Sequence, residues 1–149
     1  GTQACRALNP DVPDMVLVGH ASDVPASLGD LPGLHWCSGL SDGQLQALYR
    51  HAACLWQPSY AEGFGLPVVE ALSVGTPVAV ARGSALDEIA PPNAPRFAPH
   101  DAEQLQNVMQ QLAAADATQD GETHRAWARQ FAEPAYRSRV DTLLKELDR

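Results

Sequence analysis

Two glutamates, Glu62 and Glu70, stand with seven residues between them, and the first opens the run Gly63-Phe64-Gly65-Leu66-Pro67. Glycines at 63 and 65 let a backbone come close to a ligand. The N–H groups of Phe64, Gly65 and Leu66, presented together at a helix start, suit an anion, a phosphate above all. Carboxylates beside a phosphate repel it unless they accept hydrogen bonds from neutral hydroxyls instead. A sugar phosphate offers both parts, an anion for the amides and hydroxyls for the acids. Spacing alone leaves a plainer alternative open: a tight Gly-x-Gly turn followed by acids that complement a helix dipole.

Such a loop needs a strand before it and a helix after it. Short apolar runs alternate with amphipathic segments along the chain, the pattern of a βαβ array and a parallel sheet. Strands are predicted at Met15 to Val18, Leu34 to Cys37, Cys54 to Trp56, Pro77 to Ala81 and Arg96 to Ala98. None alternates strictly, as expected of strands covered on both faces. The Glu62 to Leu66 loop then lies between the strand ending near Trp56 and a helix opening at Pro67, whose missing N–H has no use at a first helical position. Val68, Ala71 and Leu72 continue that helix, Gly75 closes it and Pro77 prevents its extension. Loops at the ends of parallel strands are where open α/β sheets bind ligands.

Other helices frame this one. Leu45, Leu48, Tyr49 and Ala52 share one helical face behind Ser41 and Gln44, a capping-box pair. Asp101 and Gln104 repeat the device ahead of Leu105, Val108, Met109 and Leu112. Thr123 to Phe131 is predicted helical, after a polar break over Asp116 to Gly121. A final helix carries Tyr136, Val140, Leu143, Leu144 and Leu147.

At 149 residues, 45% hydrophobic and 19% charged, the chain suits one globular α/β domain. Its net charge of −8, with Lys145 the only lysine, argues against nucleic acid as a partner. No apolar run approaches the roughly 20 residues that span a bilayer. Three cysteines, Cys5, Cys37 and Cys54, lack CxxC spacing; Cys37 and Cys54 sit in apolar stretches and read as small buried hydrophobes, which points to a reduced cytosolic setting. Five dispersed histidines (His20, His35, His51, His100, His124) show no ligand spacing, so no metal site is expected. Trp36 and Trp56 are assigned to the core. Arg82 lies on the ligand edge, where Ser84 with Asp87 fits a helix cap.

The run Pro58-Ser59-Tyr60-Ala61-Glu62-Gly63-Phe64-Gly65-Leu66-Pro67-Val68-Val69-Glu70-Ala71, followed by Gly75-Thr76-Pro77-Val78, resembles the donor-site signature of family 4 retaining glycosyltransferases. The resemblance extends over most of the chain and implies the second Rossmann-like domain of a GT-B fold. It implies transfer of a sugar from a nucleotide-diphosphate donor to an acceptor hydroxyl, with retention at the anomeric centre. It implies no cofactor or metal, and an acceptor that is a saccharide or lipid-linked. The parent would be cytoplasmic, with the inner membrane surface open to it. Glu62 matches the first glutamate of the family's E-x7-E motif, which meets donor-sugar hydroxyls near the anomeric carbon. Glu70 matches the second, which holds the ribose hydroxyls. The amides of the stretch from Gly63 through Phe64 and Gly65 to Leu66 would meet sugar hydroxyls and the diphosphate.

Leu40 matches the residue whose backbone meets the base, and Ser38 stands where the family usually has glycine. The family opens this domain with a strand ending in Gly-Arg and a helix beginning near Lys-Gly, and the sequence contains neither. On that comparison the chain begins inside the following helix, around Ala4 to Leu8, without the first strand or the acceptor-binding domain. The absent strand would lie between Met15 to Val18 and Cys54 to Trp56, leaving a slot in the sheet. A GT-B nucleotide-sugar epimerase and a non-catalytic nucleotide-sugar-binding module are the alternatives.

Overall fold

The computed structural model describes residues 13–20, 22, 31–59, 61–114, 121–135, 137, 138, 141 and 145. Residues 137, 138, 141 and 145, within the predicted final helix, are helical; Tyr136, Val140, Leu143, Leu144 and Leu147, the segment around Ala4 to Leu8, Cys5, Tyr60 and most of the polar break lie outside the described residues.

Among the described residues five strands are parallel to their partners: β1 (Met15–Val18) beside β2 (Leu34–Cys37), and β3 (Leu55–Gln57), β4 (Val78–Ala81) and β5 (Arg96–Phe97) in that order. Among the described residues, β1 and β3 lie in separate sheets and do not pair. The helices are α1 (Asp42–His51), α2 (Leu66–Ser73), α3 (Leu86–Ile89), α4 (Ala102–Ala114) and α5 (Gly121–Arg129).

β4 is the centre of the core and is buried throughout. Its side chains divide by the two-residue period of a strand. Val78 and Val80 pack with Val68, Leu72 and Leu86 on one side, and Ala79 and Ala81 pack with Phe97 and Val108 on the other. Burial on both faces is what allows an uninterrupted apolar run there. β1 departs from that expectation. It alternates, with Val16 and Val18 exposed and Met15 packed with Trp56 against Met109. Its outer face is therefore open where a doubly covered strand was expected.

β1 and β2 have the predicted bounds, β3, β4 and β5 differ by one residue at one or both ends, and α5 runs two residues earlier than predicted. α2 opens at Leu66 rather than Pro67, because neither of the first two helical N–H groups has an intrahelical acceptor and proline is equally at home in the second place. β3 begins at Leu55, whose N–H pairs with the Pro77 carbonyl, and reaches Gln57. Gly121, placed in the polar break, opens α5 instead. Ser41 and Gln44 form the full reciprocal capping box. Asp101 accepts from the N–H of Gln104, but the Gln104 side chain turns to the Asp101 carboxylate and the Ala98 N–H. Ser84 receives the Leu86 N–H, while Asp87 reaches back to the N–H of Gly83.

Candidate functional site

The junction between β3 and α2 is built by conformational constraints that the sequence contains locally. Gly65 is the cap of α2 at φ 86°, in the left-handed region, and is buried. A β-carbon there would sit 2.6 Å from Leu86 Cδ2. Only glycine fits, both for backbone conformation and for space. Gly63 has neither restriction: its φ is ordinary and no protein atom lies within 4 Å of where its β-carbon would be. Among the described residues none accepts a hydrogen bond from the N–H of Gly63, Phe64 or Gly65. Leu66 opens the helix, where an N–H lacks an intrahelical acceptor. At its other end α2 finishes in a Schellman closure, with Gly75 at φ 95° and the N–H of Thr76 donating to the Ala71 carbonyl.

Each carboxylate has its own neutral donor. Gln57 Nε2 donates to Glu62 Oε1 at 2.7 Å, so the last residue of β3 holds the half-buried glutamate that opens the loop. Tyr49 Oη donates to Glu70 Oε2 at 3.3 Å. Glu70 itself is exposed on α2, beside a groove of about 240 Å³ lined by Asp42, Leu45, Gln46, Tyr49, Glu70 and Ser73. Burial pushes the Tyr49 phenol up to about 12, aided by the charge of Glu70 and their hydrogen bond, so it remains a donor well above neutral pH. No hydrogen bond joins Glu62 to Glu70. Each keeps one oxygen without a hydrogen bond from the described residues, available to a ligand hydroxyl.

Phe64 and Leu66 are large apolar side chains left exposed at this loop. Phe64 meets Phe131 edge-on, with ring centroids 6.1 Å apart, so the segment after α5 steadies the loop from outside. Ser38 and Leu40 lie between β2 and α1, Ser38 exposed and Leu40 half-buried, with Gly39 between them at φ 64°. Arg82 is exposed at the end of β4. Trp36 and Trp56 are only partly buried, and Trp56 stacks tilted on Phe97 at 5.3 Å. Cys37 and Cys54 are free thiols, the latter pushed up to about 12 by burial.

Tyr49, Gln57 and Phe131 were not singled out as site residues in the sequence. A signal existed for Tyr49: a tyrosine on the buried face of a helix needs an acceptor for its O–H. Gln57 and Phe131 carry no comparable mark. Among the described residues no group of three or more His, Cys, Asp or Glu is placed to hold a metal ion, and no helix is long and apolar enough to cross a membrane.

Comparison with known proteins agrees with this architecture. The family model for glycosyl transferases group 1 matches residues 26–130. An MMP α-(1→4)-mannosyltransferase of Mycolicibacterium hassiacum is 39% identical over 97 residues, covering 63% of this chain and 24% of the relative. The O-antigen chain mannosyltransferase B of Escherichia coli is 33% identical over 93 residues, 61% of this chain and 24% of that protein. The chain thus spans about a quarter of the length of these relatives. Sucrose-phosphate synthase from Thermosynechococcus elongatus superposes with a TM-score of 0.75 at 25% identity, over 97% of this chain and 40% of that structure. Parallel strands flanked by helices, the loop at Glu62 to Leu66 and the matched family model agree: the chain has the Rossmann-like architecture of a GT-B second domain and belongs to the group 1 glycosyl transferases.

Proposed function

We propose that this chain is the donor-binding half of an enzyme that moves a sugar from a nucleotide-diphosphate sugar to an acceptor hydroxyl with retention of anomeric configuration. The observation that carries the reading is the loop from Glu62 to Leu66. Amides without acceptors open α2, and a carboxylate held by a neutral donor stands on either side of them. The amides take the diphosphate, Glu62 takes the donor sugar, Glu70 takes the ribose hydroxyls, and the backbone of Ser38 to Leu40 meets the base. Catalysis then consists of orienting the donor and stabilising charge on the leaving diphosphate, without a metal or other cofactor. The mannosyl activity named for both curated relatives makes a mannosyl unit the first donor sugar to test.

The test separates the two acids in the intact protein. Glu70→Ala weakens nucleotide binding and Glu62→Ala mainly lowers turnover, each loss corresponding to roughly 1.5–3 kcal/mol for a hydrogen bond to a charged group. Calorimetry and steady-state kinetics measure these, and NMR of the product gives the anomeric configuration. Unaltered affinity and rate in both variants, or an inverted product, contradicts the assignment.

A further inference from the structure

Tyr49 occupies an unusual position for a residue so deep in the molecule. Its ring belongs to the buried cluster of Val68, Leu72 and Val80, yet its hydroxyl ends on the exposed carboxylate of Glu70. Its backbone is fixed as well: the Tyr49 carbonyl accepts the Thr76 hydroxyl, which ties the end of α1 to the turn that closes α2. The phenol is therefore a rigid donor attached to two helices at once. Glu70 is the opposite, a flexible side chain on an exposed helical surface, whose rotamer freedom must be lost before it can bind anything. A fixed donor on one oxygen removes part of that cost in advance and leaves the other oxygen for a ligand.

We propose that Tyr49 is a positioning residue for Glu70, aiming its carboxylate at the ribose hydroxyls of the donor. This rests on the reading above, in which Glu70 receives those hydroxyls. The phenol touches no ligand. Its contribution is the orientation of the group that does, so its loss acts on ribose recognition in particular and not on the affinity for diphosphate in general.

The experiment measures, in the intact protein, the affinities of uridine and guanosine diphosphates against their 2′,3′-dideoxy counterparts. Wild type prefers the ribonucleotide of whichever base it binds. Glu70→Ala abolishes most of that preference. Tyr49→Phe, which keeps the ring and removes only the hydroxyl, narrows the preference about threefold to tenfold, the worth of one lost hydrogen bond. Should Tyr49→Phe lower the melting temperature, the ratio is read well below that temperature, with circular dichroism confirming that the variant is folded. If Glu70→Ala leaves the preference intact, the ribose reading fails and the role of Tyr49 falls with it. If Glu70→Ala narrows the preference while the folded Tyr49→Phe variant keeps the wild-type ratio, the ribose reading stands and the positioning role of Tyr49 is overturned.

Discussion

At Gly65 the backbone has φ 86° and the space for a β-carbon is taken by Leu86, whereas Gly63 has ordinary φ and open surroundings. The two positions should therefore respond differently to the same substitution. Gly65→Ala combines a left-handed alanine with a clash in the core, a loss of about 2–4 kcal/mol in urea unfolding. Gly63→Ala leaves the unfolding midpoint unchanged and weakens nucleotide-sugar binding, because the added methyl occupies the approach of the ligand. A Gly65→Ala protein as stable as wild type would contradict the steric argument. The types and spacing of Glu62 and Glu70 were legible without a structure. Their donors were not, since Gln57 and Tyr49 lie 5 and 21 residues away from their partners and are paired only by the fold.

Among the elements, those with strong periodic or punctuating residues read well from sequence. Ser41 with Gln44 marked the start of α1, and Gly75 with Pro77 marked the end of α2, because each acts through its immediate neighbours. Two features depended on tertiary packing and were missed. β1 is open on the face carrying Val16 and Val18, which its apolar composition concealed, and Gly121 joins α5 as its first residue. The Trp127 Nε1–H, 2.8 Å from the Ile89 carbonyl, docks α5 beside α3 in a way no local pattern announces. Strand pairing gives these differences a consequence. β4 is hydrogen-bonded on both edges and fully buried, while β1 pairs only with β2 among the described residues. Native-state hydrogen exchange of residues 1–149 alone should place the amides of β4 among the slowest and those of β1 among the fastest of the strands. Equal protection of β1 and β4 would contradict this ordering.

For the whole molecule, charge bears on the same ligand. The chain carries 18 acidic residues against 10 basic ones, and a donor diphosphate adds further negative charge. Loop amides and a helix dipole supply only partial positive charge in return. Residues 1–149 alone are expected to bind nucleotide sugars weakly, with a dissociation constant on the order of a millimolar. Micromolar binding in calorimetry would contradict this. We propose that positive charge elsewhere in the parent protein compensates the diphosphate. The central claim is transfer from a nucleotide sugar at the Glu62 loop, and one measurement addresses it most directly. The intact protein is incubated with a panel of nucleotide sugars and saccharide or lipid-linked acceptors, and products are followed by mass spectrometry for wild type and Glu62→Ala. The account predicts that one donor is consumed, with release of its nucleoside diphosphate and a glycosylated acceptor, and that Glu62→Ala loses most of this turnover. Donor binding with neither transfer nor hydrolysis, or turnover indifferent to Glu62→Ala, would contradict it.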